Sequence, residues 1–326
     1  MKTVLQKKFI LSRVTPVNFS ENDSCHFQKD FEVEIKENHV RTFRNASIVQ
    51  LFLFHKYCLQ PAYCLTRKIS LLTKLKAYVK SLIYKKKTIQ NGLWVLDQWS
   101  SGYFHWFTEA LPRIMSAREI SVDYPVLLPN NYQNTEFISE SLKDLDISVY
   151  YYDINKKLRI TELLAPSHLQ PAQFDPIYIR KCRDCFIKKN ISEIPSKKIY
   201  ISRKKANRRR VVNESELQEM LNSFGVDIVY MEDLTFSNQR ALMEQTKMVI
   251  SNHGAGLTNM IFMKEGSTVV ELKANAEDIN NCFFNLASAL NHKYYYTINS
   301  GDSRSVQKSN IIVDLNKLKE LLHSLA

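Results

Sequence analysis

"MVISNHGAGLTNMIFMKEGSTVVEL", Met248 to Leu272, carries three of the chain's seven glycines. Its ends, "KMVISN" and "STVVEL", are apolar runs of strand length, and "LTNMIFM" between them suits a short helix. Glycine costs chain entropy, so a chain this poor in it keeps glycine where backbone takes φ > 0 or where something must come close. Gly254 and Gly256 directly follow the first run, giving the order strand, glycine turn, helix. That order presents unpaired N–H groups and a helix N-terminus to an anion, and a phosphate or diphosphate fits it. His253 adds a donor. The same residues also suit a tight structural turn with a core histidine.

Working outward, "KKIYIS" reads as a strand. "NESELQEMLNSFG" reads as a helix with Asn213 as N-cap, Glu216 as its capping-box partner, and Gly225 as its stop. "VDIVYM" is the next strand, and "SNQRALMEQT" a helix capped by Ser237. Apolar strands alternating with helices predict a parallel sheet covered on both faces, a Rossmann-like domain over residues 196–326. The middle repeats the theme: "GLWVLD", a helix from about Tyr103 to Glu119, "YPVLLP", a helix near Thr135 to Leu145, "ISVYYY" and "RITELLA". Residues 1–165 thus read as a first α/β domain. Pro166, Pro171, Pro176 and Pro195 make 166–195 a plausible linker.

With 326 residues and 44% apolar content the chain can fill such cores. Six cysteines are too sparse for a disulfide framework, and Cys182/Cys185 lacks the second pair that a zinc site needs. "MKTVLQKKFILSRV" is too short in apolar residues for a signal peptide, and no run approaches the ~20 of a membrane span. The expectation is a cytoplasmic chain. A net charge of +12 favours an anionic partner: nucleic acid, an anionic membrane or a phosphorylated small molecule. Thr66 to Lys87 holds eight cations, no acid, and apolar residues at helical spacing. It reads as a basic amphipathic helix, either lying on anionic lipid or packed on its own domain.

Three further places carry chemistry. "YISRKKANRRRVVNE" follows the first strand of the C-terminal domain, so Arg203 and the glycine turn open on one sheet edge, and arginine grips phosphate with two donors. Taken alone, the run is a solvated loop or a nucleic-acid patch. Glu271 ends "STVVEL" on that edge, either accepting from ribose hydroxyls or as a rim charge. In "YFHWFTEALPRI", His105 and Glu109 stand at i and i+4, suited to a general-base pair or to a structural one. GxGxxG, GxxxxGK[ST] and GxSxG are all absent, which removes the dinucleotide, nucleoside triphosphate and serine hydrolase readings. "DLD", Asp144 to Asp146, has a metal-binding spacing but reads as a helix end entering a strand.

"FHWFTEALPRI", "ISRKKANRRRVVNE" and "EDLTFSNQRALMEQTKMVISNHGAGLTNMIFMKEGSTVVEL" together resemble the glycosyltransferase family 61 domain, over roughly Leu93 to Leu272. The resemblance implies a GT-B architecture, two Rossmann-like domains facing a cleft. It implies inverting, metal-independent transfer from a nucleotide sugar, with a UDP-sugar expected, to a hydroxyl of a glycan or lipid-linked acceptor, as in surface polysaccharide biosynthesis. Carried over by position, Arg203 and Arg209 contact the diphosphate. His253, Gly254, Gly256 and Asn259 shape its cradle, Glu271 meets the ribose, and Glu109 and His105 face the acceptor. The family often has aspartate where this chain has Glu109. The competing expectation is a basic nucleic-acid-binding protein using the "KKANRRR" loop. The enzyme reading has no nucleic-acid partner and places the chain peripherally at the inner face of a membrane.

Overall fold

The computed structural model describes residues 1–187 and 194–325. The chain divides into two compact units, Met1–Ile10 with Glu34–Phe186, and Leu11–Val33 with Ile187–Ala326. Both are α/β.

The second unit is built on a six-stranded sheet, ordered Asp227–Val229, Lys197–Ile201, Thr246–Asn252, Thr268–Ala274, Lys293–Gly301, Ile311–Ile312. The first five strands are parallel and the last is antiparallel. Met248, Ile250, Val270 and Leu272 share a core with Leu217 and Leu221 of helix Glu214–Ser223 and with Leu318 and Leu322 of helix Leu315–Ser324. Val249 and Val269 alternate with them, are equally buried, and point to the opposite face. Burial on both faces is why these strands read as continuous apolar runs. Counted along the chain the order is 2-1-3-4-5-6. It reverses between Lys197–Ile201 and Thr246–Asn252, and the crevice beyond the C-terminal ends of two such strands is where open α/β sheets bind ligands.

Local details depart from the sequence expectation. Asn213 precedes Glu214–Ser223 but makes no capping box. Its amide is taken by Val313, donating to the main-chain oxygen and accepting from the main-chain nitrogen, each at 2.9 Å. Thr235 rather than Ser237 caps Phe236–Glu244, its hydroxyl accepting from Asn238 N. Phe236 is thereby included and packs edge-on against Phe262 at 5.7 Å. The short helix after the glycine turn is 3-10, Ala255–Phe262.

Residues 11–33 join this unit's core. Phe27 of helix Ser24–Phe31 is fully buried against Phe284, Tyr294 and Tyr296. Periodicity announces such a helix but says nothing about which core receives it.

The first unit holds a mixed sheet. Asn38–Val49 is antiparallel to Lys157–Pro166, which runs parallel to Lys86–Leu93; Val126–Pro129 and Val149–Tyr152 continue the parallel side. The strand expected from Gly92 to Asp97 ends at Leu93, and Trp94, Val95 and Leu96 continue it as fully buried chain. Residues 166–195 contain the helix Pro176–Phe186, whose Tyr178, Ile179, Cys182 and Phe186 are buried. Pro176 suits the first helical position, where no N–H is required, so proline marks a helix start there. The basic helix spans Leu71–Ile83 with Ser70 as its cap, while Lys86 and Lys87 open the next strand. Asp144 ends helix Glu136–Asp144, and Asp146 takes a left-handed φ of 49°. Among the described residues no helix is long and apolar enough to cross a membrane.

Candidate active site

Both loops at the strand reversal carry residues singled out from the sequence. At the end of Thr246–Asn252, Ser251 Oγ donates to Ile201 O at 2.8 Å and Asn252 Nδ2 to Arg209 O at 2.5 Å, tying the two loops together. Arg203 braces the arginine loop from within. Its Nε and Nη2 donate to the carbonyls of Arg209 and Arg208 at 3.1 and 3.2 Å. The guanidinium lies directly over Gly254, where a Cβ would stand 2.1 Å from Nη1. Gly254 is extended, φ 176°, so this glycine serves close approach rather than an unusual backbone. Gly256 is similar, with Ile201 Cγ2 at 2.9 Å from the Cβ position. Asn259 Nδ2 fixes the turn by donating to Gly256 O at 3.1 Å.

Gly254→Ala is therefore expected to displace Arg203 and to destabilise the unit by about 1–3 kcal/mol, the usual cost of an inserted methyl in a packed place. Denaturant unfolding of the variant measures it. A stability equal to the parent's would mean that Arg203 is not held over the turn.

Arg209 sits in the left-handed region, φ 58°, and its charge acts on His253 at the glycine turn. One terminal nitrogen donates to Gln307 Oε1 at 3.2 Å, while the buried Nε has no partner among the described residues. Asn252 Oδ1 is buried and unpartnered as well. Burial, and then the Arg209 and Arg208 charges, push Arg203 down to about 10, with Glu232 opposing. Arg209 is lowered by burial and by Arg208. Both remain charged at neutral pH. Two crowded, partly desolvated guanidinia, one with an unsatisfied Nε donor, make a place where an anion is stabilised.

His253 and Glu271 form a buried pair, Nδ1 to Oε1 at 2.6 Å, and Glu271 Oε2 accepts from Tyr294 OH at 2.5 Å. Glu271, expected at a ribose, thus has both oxygens engaged within its own unit. What it does there is fix the ring of His253. Burial raises its carboxyl, but Lys273, His253 and Tyr294 outweigh that and hold it at about 2 against an ordinary 4.5. Burial keeps His253 below 6.5 despite Glu271. The signs agree. Below pH 6.5 the unfolded chain protonates this histidine more readily than the native one does. Glu271 contributes about 3 kcal/mol that is fully present above pH 4.5 and disappears as the pH falls through 2. Urea titrations across pH 7 to 2 should show this acid loss, and Glu271→Gln should flatten its lower limb.

In the first unit, helix Tyr103–Arg118 is interrupted by a π turn, Trp106–Ala110, a form frequent at functional sites. It brings Glu109 Oε1 to 3.1 Å from His105 Nδ1, without hydrogen-bond alignment. Glu109 lines a cavity together with Asp97, Arg113, His168 and Asp175. Arg113 Nε donates to Glu109 O at 2.9 Å and Nη2 to Asp97 Oδ2 at 3.1 Å. Asp97 is fully buried, and burial and the Arg113 charge lower His168 far below its ordinary value, with Asp97 opposing. Neither nitrogen of His168 has a hydrogen-bond partner among the described residues, and Nδ1 stands 3.9 Å from Asp97 Oδ2. Sequence reasoning missed this cluster: Arg113 lies in "LPR" and Asp97 closes "WVLD", but nothing marks His168. It also missed Asn252, beside the glycine turn, and Glu214, which accepts from Tyr200 OH and Ser202 Oγ at the root of the arginine loop. Among the described residues no three His, Cys, Asp or Glu side chains converge as a metal cluster.

The chain is 38% identical over 106 residues to an EGF domain-specific O-linked N-acetylglucosamine transferase of Drosophila melanogaster, covering 31% of this chain and 20% of that protein. The protein of the same name from Rattus norvegicus is 36% identical over 95 residues, 27% of this chain and 17% of the relative. The matched part is thus about a fifth of the length of these relatives. The family model described as Glycosyltransferase 61 matches residues 103–270, just over half the sequence, from the helix bearing His105 into strand Thr268–Ala274, one residue short of Glu271. The chain belongs to the glycosyltransferase 61 family.

Proposed function

We propose that the chain transfers a sugar from a nucleotide-sugar donor, with UDP as the expected carrier, to a hydroxyl of a glycan or lipid-linked acceptor, with inversion and without a metal. The observation that carries this reading is the pair Arg203 and Arg209 at the strand reversal, with Arg209 Nε left without a partner among the described residues. In the donor complex their donors, with the N–H groups at the start of Ala255–Phe262, meet the diphosphate. His253, held by Glu271, borders it.

The step is a single displacement. The acceptor oxygen gives its proton to Glu109, with His105 beside it, and bonds to the anomeric carbon. The bond from that carbon to the phosphate oxygen breaks, and the nucleoside diphosphate leaves with its new charge on the arginines. Glu109 and the glycine turn belong to different units, so a GT-B arrangement is part of this proposal. Arg203, lying over Gly254 and bonded to carbonyls of its own loop, favours a small ligand over a nucleic-acid duplex.

Release of nucleoside diphosphate from a panel of nucleotide sugars tests the reading, with a lipid-linked glycan or a folded EGF domain as acceptor. UDP-N-acetylglucosamine belongs in the panel because the relatives' name carries that sugar. Transfer to the glycan supports the proposal as it stands; transfer only to the EGF domain corrects the acceptor. Turnover of no donor with either acceptor overturns it.

A further inference from the structure

Helix Leu71–Ile83 sits on its unit the wrong way round for a surface helix. Amphipathic helices normally bury their large apolar residues. Here Ala77 and Ser81 are the buried side chains, Ala77 against Val49 and Phe54. Leu71, Leu72, Leu75, Val79, Leu82 and Ile83 are exposed, Leu71 by 82% and Ile83 by 70%. At about 100° per residue these six fall within an arc of about 120°, opposite Ala77 and Ser81. Lys76 and Lys80 flank one edge of the arc and Lys74 the other. An apolar stripe bordered by lysines is the pattern of helices lying in a bilayer interface.

A second observation points the same way. A groove of about 870 Å³ abuts this helix through Ser81 and is lined by Arg41, Arg44, Lys56, Lys86, Lys157 and Arg159. Glu162, which also lines it, already accepts a hydrogen bond from Tyr124. Lys157 Nζ donates to Ser81 O at 2.9 Å, joining groove and helix.

We propose that the first unit docks on an anionic lipid bilayer, inserting the outward face of Leu71–Ile83 between headgroups while the adjoining basic groove takes up lipid phosphates. The inference goes beyond the transfer reaction and does not depend on it. Charge complementarity selects the occupant. Thr66 to Lys87 holds eight cations and no acid, so a second copy of the same face would repel it. Nucleic acid would neutralise the lysines and leave the leucines in water. Only an anionic interface satisfies both.

The test is co-sedimentation of the full chain with vesicles of phosphatidylcholine, or of phosphatidylcholine with 30% phosphatidylglycerol, at low and high salt. Binding is expected to the anionic vesicles alone and to weaken with salt. Lys74→Gln with Lys76→Gln and Lys80→Gln should weaken it on the order of 100-fold, since each cation near the surface is worth about fivefold. Leu72→Ser with Leu75→Ser and Leu82→Ser should weaken it by about tenfold or more through lost apolar burial. All six side chains are exposed or half-exposed, so the fold should persist, which circular dichroism checks. Lys29→Gln with Lys308→Gln and Lys319→Gln removes the same charge elsewhere and should leave binding within about twofold. If that control weakens binding as much as the helix variant, only the bulk charge acts and the docking face is wrong. Failure to bind anionic vesicles, or dimerisation abolished by the leucine variant, also overturns the proposal.

Discussion

Replacing Arg209 with asparagine is expected to lower kcat about 100- to 1,000-fold while leaving the protein folded. Charge develops on the departing diphosphate, and one preorganised donor aimed at such charge is worth about 2.7–4 kcal/mol in the transition state. Arg209 is suited to that role because its Nε is buried without a partner among the described residues and its neighbour Arg203 is occupied with main-chain carbonyls. Asparagine is the replacement of choice because it tolerates the left-handed backbone at φ 58°, so strain does not confound the loss. Arg209→Lys should recover only part of the rate, as a point charge lacks the forked donors. Near-parental kcat in Arg209→Asn would remove the diphosphate from this loop.

Glu109→Gln carries the other large effect, an expected 100- to 10,000-fold loss in kcat from removal of the general base. The assignment to Glu109 over His105 rests on place: the carboxylate lines the cavity above Asp97 and Arg113, and its main-chain oxygen is gripped by Arg113 Nε. His105→Gln should therefore cost much less. The reverse pattern would make His105 the base and Glu109 its orienting partner. Nucleotide affinity should be unchanged in both variants, since neither side chain belongs to the unit that carries the glycine turn.

The second unit's sheet and the turn at Gly254 were legible because local rules govern them. Doubly covered parallel strands must be apolar throughout, and a guanidinium can lie on the chain only where there is no Cβ. The resemblance to family 61 lay in those same residues and in the helix of His105 and Glu109, and the family match covers both. What the sequence hid depends on distant partners. Asn213 looks like a cap until Val313 claims it. Glu271 looks like a ligand-facing carboxylate until His253 and Tyr294, 18 and 23 residues away, occupy it. His168 lies in a proline-rich stretch without periodicity, so only the fold places it against Asp97 and Arg113. For Leu71–Ile83 the spacing gave the apolar stripe, while which way the stripe faces is set by the small side chains beneath it.

Thermal denaturation of the full chain with UDP, GDP and CMP, each with and without EDTA, tests the central claim that the turn after Asn252 is a metal-independent nucleotide site. A nucleotide at about 100 times its dissociation constant stabilises the native state by about 2.7 kcal/mol. The expected result is a selective upward shift with UDP that EDTA leaves unchanged and that Arg209→Asn abolishes. No shift with any nucleotide, or a shift that EDTA removes or Arg209→Asn retains, would contradict it.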